Sequence, residues 1–286
     1  MSKVFLVTGT SRGLGREIAE AVLAEGHALV ATARRPNLPG ELVARYGERL
    51  RQVPLDVTDP QAAEAAVRTA VEEFGRLDVV VNNAGYADLA SVEDVTAEDF
   101  RAQIDTNLLG VVNVTKAALP VLREQGSGHI IQVSSVGGRV TTVGLSAYQA
   151  AKWAVGGFSE VLAQEVGPLG IKVTVLEPGG MRTDWAGSSM SIPPVSEPYR
   201  KTVGALAERF AEGGMAAAGD PARVAEVVLK VAGLDEPPLR LLLGSDAVRY
   251  AAAVERARAE SDARWRDLSL STDHDAATEA ELKPLG

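Results

Sequence analysis

Short apolar runs alternate along the chain with stretches whose apolar positions recur at helical spacing. The first run, residues 3–9 (KVFLVTG), is uninterrupted and ends in glycine, the pattern of a strand buried on both faces. Residues 15–27 carry helical spacing with Gly26 near the end, where glycine suits a helix stop. A strand at 28–33, a short helix at 40–46 and a strand at 50–58 follow. Residues 59–75 predict a helix with Asp59 as N-cap and Pro60 at the first position.

The alternation continues with a strand at 77–85, one long helix over 97–126, a strand at 128–135 and a second long helix from Ser146. Strands at 171–180 and 239–245 flank a helix at 220–233. Strands alternating with helices predict an α/β fold, a doubly wound parallel sheet of about seven strands covered on both faces. No linker interrupts residues 1–250, which read as one domain. Residues 186–219 break the rhythm with serines and prolines, and a short helix is expected at 199–211. Long insertions of this kind often act as lids. Residues 251–286 form a tail that starts as a charged helix and turns polar.

Composition narrows the chemistry. The chain has no cysteine, which excludes disulfides, thiolate catalysis and Cys-bound zinc. Three scattered histidines, His27, His129 and His274, argue against a metal centre. The net charge of -9 argues against a nucleic-acid surface, whose footprint is basic. No run approaches the ~20 apolar residues of a membrane span, and no apolar signal core opens the chain. The expected location is the cytoplasm.

The first strand runs into TGTSRGLG, residues 8–15. A glycine-rich strand-to-helix turn lets backbone N–H groups approach a pyrophosphate at a helix N-terminus. Its position at the first strand weights dinucleotide binding above a ligand-free tight turn. The end of the second strand reads ATARRP, with Ala33 where an NAD-preferring site places a carboxylate for the ribose 2′-OH. Arg34 follows it and Arg12 sits in the glycine turn. Planar cationic donors suit a 2′-phosphate, so NADP(H) is expected ahead of NAD(H).

SAYQAAKWAV, residues 146–155, puts Tyr148 and Lys152 on one helix face. Taken alone, that pair is core plus a snorkelling charge. Four ordered motifs change the picture: TGTSRGLG, NNAG (82–85), the set Ser135, Tyr148 and Lys152, and PGGMRTD (178–184). Together they resemble the short-chain dehydrogenase/reductase family in its compact, Rossmann-like single-domain form, over roughly residues 3–245.

The resemblance implies roles. Gly9, Gly13 and Gly15, with Ser11, Arg12 and Leu14 in the same turn, would meet the cofactor's phosphates. Asp56 and Val57 would flank the adenine, and Asn83, Ala84 and Gly85 would border the cofactor. Pro178, Gly179 and Thr183 would hold the nicotinamide amide. Asn107, Ser135, Tyr148 and Lys152 would form the catalytic set, with Ser135 thirteen residues before Tyr148 as in the family and Ser134 a poorer fit. Tyr148 would exchange a proton with the substrate oxygen, and Ser135 would steady the oxyanion. Lys152 and an oxidised nicotinamide would lower the phenol pKa, where three units correspond to about 4 kcal/mol. Asn107 would orient a water beside Lys152.

The expected activity is NADPH-dependent reduction of a carbonyl, reversible as alcohol oxidation. The alternatives are an NAD-dependent alcohol dehydrogenase and a non-catalytic NADP(H)-binding regulatory protein. Gly137 and Gly138 are expected to leave space near Ser135. Val140, Val143, Leu145, Trp185, Met190, Ile192 and Tyr199 offer an apolar lining for a hydrophobic small molecule. Glu177 reads either as a site-lining residue or as a strand-end partner, and Trp153 as core or subunit interface. Family members commonly pair their two long helices, so a homodimer or homotetramer is expected.

Overall fold

The computed structural model describes residues 2–183, 190–212, 217–274 and 276–282. Seven parallel strands form one sheet: β1 (Val4–Thr8), β2 (Ala28–Ala33), β3 (Leu50–Pro54), β4 (Val79–Asn82), β6 (Gly128–Val133), β7 (Ile171–Pro178) and β9 (Arg240–Leu243). Their order is β3-β2-β1-β4-β6-β7-β9. The order reverses between β1 and β4, and the crevice at such a reversal is where doubly wound sheets bind ligands. TGTSRGLG leaves β1 and NNAG leaves β4, so both motifs open onto it.

The side-chain alternation of β1 sets the two faces. Phe5 and Val7 pack with Ile18 and Val22 of α1 (Gly13–Ala24) and Val224 and Val228 of α8 (Pro221–Gly233). Val4 and Leu6 pack with Ala66 and Ala70 of α3 (Pro60–Phe74) and Val114, Ala118 and Leu122 of α5 (Gly110–Gln125). Phe5 and Leu6 are wholly buried, each stabilising the fold by roughly 2–3 kcal/mol. Asp59 caps α3 through the N–H groups of Gln61 and Ala62, and Gly75 ends it at φ 75°.

Several boundaries differ from the expectation. The strand expected at 50–58 ends at Pro54, and that expected at 77–85 is confined to Val79–Asn82. The apolar residues beyond, such as Val57 and Leu77, are buried outside the strands, and Leu55 N–H makes a last bond to the Ala33 carbonyl of β2 at 2.9 Å. The helix expected over 97–126 is three pieces: α4 (Ala97–Ile104), a π-helical turn (Asp105–Leu109) and α5. Periodicity alone cannot reveal one inserted residue. A second, two-stranded sheet pairs β5 (Ala87–Asp88) with β8 (Met190–Ser191), fixing the start of the expected lid. The same segment continues through a π-helical turn (Arg200–Gly204) into α7 (Ala205–Ala211). The tail helix α9 spans Ser245–Leu270, and from Glu255 onward its residues are exposed.

Candidate active site

The turn after β1 depends on missing side chains. Gly9 and Gly13 have φ of 74° and 55°, a region L side chains rarely adopt. A Cβ on Gly15 would stand 2.2 Å from the Gly9 carbonyl oxygen and 2.5 Å from Asn83 Nδ2. Asn83 earns that proximity: its Nδ2 donates to the Thr8 carbonyl at 2.9 Å. Thr8 Oγ1 accepts from the Asn83 and Ala84 N–H groups, both at 3.0 Å. The NNAG segment and the glycine turn thus form one hydrogen-bonded floor. Leu14 is buried beneath it in the core.

Beside this floor lies an open recess lined by Ser11, Arg12, Arg16, Arg34, Arg35 and Asn37. Four guanidinium groups and no carboxylate line it, which fits a phosphate. Ala33 ends β2 buried, so no acidic side chain reaches a ribose from that position. On the far rim, Asp56 is held by Thr58, whose N–H and Oγ1 donate to Asp56 Oδ1 at 3.0 and 2.8 Å. Val57 is buried, and its carbonyl accepts from Asn113 Nδ2 at 3.0 Å.

The four candidate catalytic residues converge at the ends of β4 and β6. Tyr148 and Lys152 lie in α6 (Ser146–Val166) and are both buried. Tyr148 is hydrogen-bonded to Ser135. Lys152 Nζ donates to the Val133 carbonyl at 2.9 Å and stands 5.6 Å from the centre of the Tyr148 ring. Ser135 caps a short turn, accepting from Gly137 N–H at 3.0 Å. Ser134 instead bonds the Lys152 carbonyl at 3.3 Å inside the core.

Asn107 sits in the π-helical turn, a distortion frequent at functional sites. Its Nδ2 donates to the carbonyls of Tyr86 and Gln103, both at 2.9 Å, and its Oδ1 accepts from Tyr86 N–H. A Cβ on Gly85 would meet Asn107 Oδ1 at 2.6 Å and Lys152 Nζ at 3.6 Å. The space that Gly85 leaves is therefore bordered by both residues.

The family model described as short chain dehydrogenase matches residues 3–191. The chain belongs to the short-chain dehydrogenase/reductase family. It is an oxidoreductase of that family, whose members bind NAD(P)(H) and act on small molecules. It is similar to oxidoreductase BOA17 of Botryotinia fuckeliana, 58% identical over 95% of this chain and 100% of that protein. A short-chain dehydrogenase from Streptomyces avermitilis matches with TM-score 0.89 and 36% identity, over 96% of this chain and 100% of that one. An alcohol dehydrogenase from Thermococcus sibiricus, solved with 5-hydroxy-NADP, matches with TM-score 0.69 and 28% identity, over 85% and 96% of the two chains.

Burial dominates the electrostatics of Tyr148 and Lys152 in this short-chain dehydrogenase. Burial pushes the Tyr148 phenol up to about 12, only partly opposed by the Ser135 hydrogen bond. Burial pushes the Lys152 ammonium down to about 8. Desolvation is the leading cause in both groups, and the Lys152 ammonium is held by the Val133 carbonyl.

The glycines after Ser135 lie against α6. A Cβ on Gly137 would meet Gln149 Nε2 at 3.2 Å, and one on Gly138 the Lys152 carbonyl oxygen at 2.9 Å. Both glycines let α6 pack closely on the serine turn.

The residues expected as an apolar lining fall in different surroundings. Leu145, Met190 and Tyr199 join Tyr148, Leu89, Val203 and Leu206 in one cluster. Val143 and Ile192 are exposed. Trp185 lies outside the described residues. The segment expected to be a lid is bonded to two carboxylates: Asp88 accepts from Ser191 N–H at 3.1 Å, and Glu93 from Tyr199 Oη at 2.8 Å.

His129 is a packing residue within β6, bonded to Thr174 Oγ1 at 3.0 Å, with burial lowering its pKa to about 3. Trp153 is neither core nor free, since the Arg258 guanidinium of α9 stacks 4.5 Å over its ring.

Sequence reading missed Gly110, Asn113 and Asp246. A Cβ on Gly110 would meet Val57 Cγ2 at 2.5 Å, and a lone glycine in a helical pattern was the available signal. Asp246 Oδ2 accepts from Gly180 N–H at 2.8 Å, tying α9 to the loop after β7. Nothing local in the sequence marks that contact. Thr183 stands over the glycine turn, its Cβ 3.7 Å from where a Gly13 Cβ would lie. Pro178 ends β7, and Gly179 N–H donates to the Leu243 carbonyl at 2.9 Å.

Proposed function

We propose that this dehydrogenase reduces an apolar ketone or aldehyde with NADPH, and oxidises the corresponding alcohol in reverse. The observation that carries the cofactor preference is the recess of Arg12, Arg16, Arg34 and Arg35 beside an acid-free β2 end. Gly9, Ser11, Gly13 and Gly15 would hold the pyrophosphate, with Asp56 and Val57 at the adenine. Asn83, Ala84 and Gly85 would form the floor, and Pro178, Gly179 and Thr183 would hold the carboxamide. When bound, the reduced nicotinamide supplies the hydride that adds to the carbonyl carbon.

The chain's own residues complete the reaction. Ser135 donates to the carbonyl oxygen and steadies the negative charge that develops there. Tyr148 delivers its proton to that oxygen, giving the alcohol. Burial keeps the phenol protonated in the protein alone, the form from which it donates. Lys152 binds the nicotinamide ribose and brings positive charge near the resulting phenolate. Asn107, anchored in the π-helical turn, holds the Tyr86 backbone beside Lys152. The cluster of Leu89, Leu145, Met190, Val203 and Leu206 over Tyr148 supports an apolar substrate. The outward faces of α5 and α6 are the proposed homo-oligomer contact.

Fluorescence titration with NADPH and NADH on wild type and Arg34→Ala tests the reading. Tight NADPH binding that weakens about tenfold, ~1.4 kcal/mol, only in the variant and only for NADPH is expected. Equal or tighter NADH binding by wild type overturns the preference, and binding of neither overturns the assignment to hydride transfer.

A further inference from the structure

Glu177 carries a carboxylate with no solvent exposure, one residue before the Pro178–Gly179 loop. One oxygen, Oε2, accepts from Arg139 Nε at 2.8 Å, with Arg139 Nη2 at 2.7 Å. The other, Oε1, accepts from Arg240 Nε at 3.1 Å and from Arg240 Nη2. Arg240 also reaches Glu160 of α6 at 2.7 Å. A Cβ on Gly156 would stand 3.1 Å from Arg240 Nη2, so α6 leaves a gap for this guanidinium.

Arg139 is the hinge of the arrangement. It follows directly on the turn Val136–Gly138 that Ser135 caps, and its N–H donates to the Val136 carbonyl at 2.8 Å. Its Nη1 donates to Glu255 of α9 at 2.6 Å. Its carbonyl accepts from Arg258 Nη2, also of α9, at 2.7 Å. At its other end α9 holds the Gly180 N–H through Asp246, and a Cβ on Gly179 would come within 2.3 Å of that carboxylate. One helix from outside the sheet therefore grips both the serine turn and the loop after β7.

Stability alone is a poor reason for such a network. Buried ion pairs often contribute no more than well-packed apolar residues of similar volume. Their geometry, however, is directional, and here the two directions lead to the serine turn and to the strand end.

We propose that Glu177 and Arg139 are positioning residues that hold Ser135 at its distance from Tyr148, with α9 completing the clamp through Glu255. This rests on the reading of Ser135 as the donor to the substrate oxygen. The carboxylate fixes Arg139, Arg139 fixes the turn, and the turn fixes the serine hydroxyl. Displacing that hydroxyl weakens an interaction made most strongly in the transition state, so turnover falls while cofactor binding does not.

The test uses the full chain with Glu177→Gln, Arg139→Met, Arg139→Lys and Glu255→Gln. Expected are a kcat lowered at least tenfold in Arg139→Met, partial recovery in Arg139→Lys, and a loss of about threefold in Glu255→Gln. The NADPH dissociation constant stays within twofold throughout. Glu255 is half-exposed, so its variant folds even where Glu177→Gln does not. Amide exchange supplies a readout independent of activity: protection of residues 134–140 falls in Arg139→Met and Glu255→Gln, while that of residues 128–133 is retained. Unchanged kcat and unchanged exchange in Glu255→Gln and Arg139→Met, or a lowered Tm as the sole effect, overturns the clamp. Loss of protection in a protein that binds no dinucleotide overturns the oxidoreductase reading and leaves the clamp standing.

Discussion

Replacing Lys152 by methionine tests how much the fold concedes to hold a cation in its core. The side chain is buried, and burial lowers its pKa from the ordinary 10.5 to about 8. Between these values the unfolded chain binds more protons than the folded one, so stability rises with pH there. Below about pH 8 both states are protonated and the full penalty applies. Above 10.5 the penalty is gone. Integrating from pH 7 to pH 10 gives a gain of about 2 kcal/mol for wild type that the methionine variant lacks. Tyr148 touches only the upper edge of this window, because its raised pKa begins to cost stability as pH approaches 10. The assay is urea unfolding of both proteins at unit pH steps from 7 to 10, with the difference between them plotted. Other titrating groups cancel in that difference. Parallel profiles, or a wild type that loses stability relative to the variant on going from pH 8 to 10, would refute the reasoning.

Two further outcomes separate neighbouring roles. Ser135→Ala should lower kcat about a hundredfold or more, the scale of an oxyanion donor, with Tm little changed. Ser134→Ala should keep turnover and lose about 1 kcal/mol in denaturant unfolding, because its hydroxyl bonds the Lys152 carbonyl in the core. Gly15→Ala should abolish dinucleotide binding in a fluorescence titration and destabilise the protein by about 2 kcal/mol or more, since the added carbon meets the Gly9 carbonyl at 2.2 Å. A Gly15→Ala protein that binds NADPH normally would show that the turn opens more easily than its hydrogen bonds indicate.

Much of the architecture was legible because it is local. The apolar run of β1, the Asp59-Pro60 start of α3 and the glycine stops at Gly26 and Gly75 each carry their cause within a few residues. The glycine turn was legible for the same reason, since positive φ at Gly9 and Gly13 is a backbone requirement written in the residue type. The expected set of Asn107, Ser135, Tyr148 and Lys152 does meet, through spacing within α6 and order along the sheet.

What the sequence could not state were contacts between distant segments. The π-helical turn carries Asn107 to the Tyr86 backbone, 21 positions away in the chain. Glu177 was ambiguous until folding brought Arg139 and Arg240 to it from 38 and 63 positions away. Gly137 and Gly138 read as open space, and only the fold shows how closely α6 packs on them. Lys152 looked like a charge that would acidify Tyr148. Its burial adds a desolvation cost that the spacing did not reveal, because desolvation is a property of the packed whole and not of a four-residue spacing.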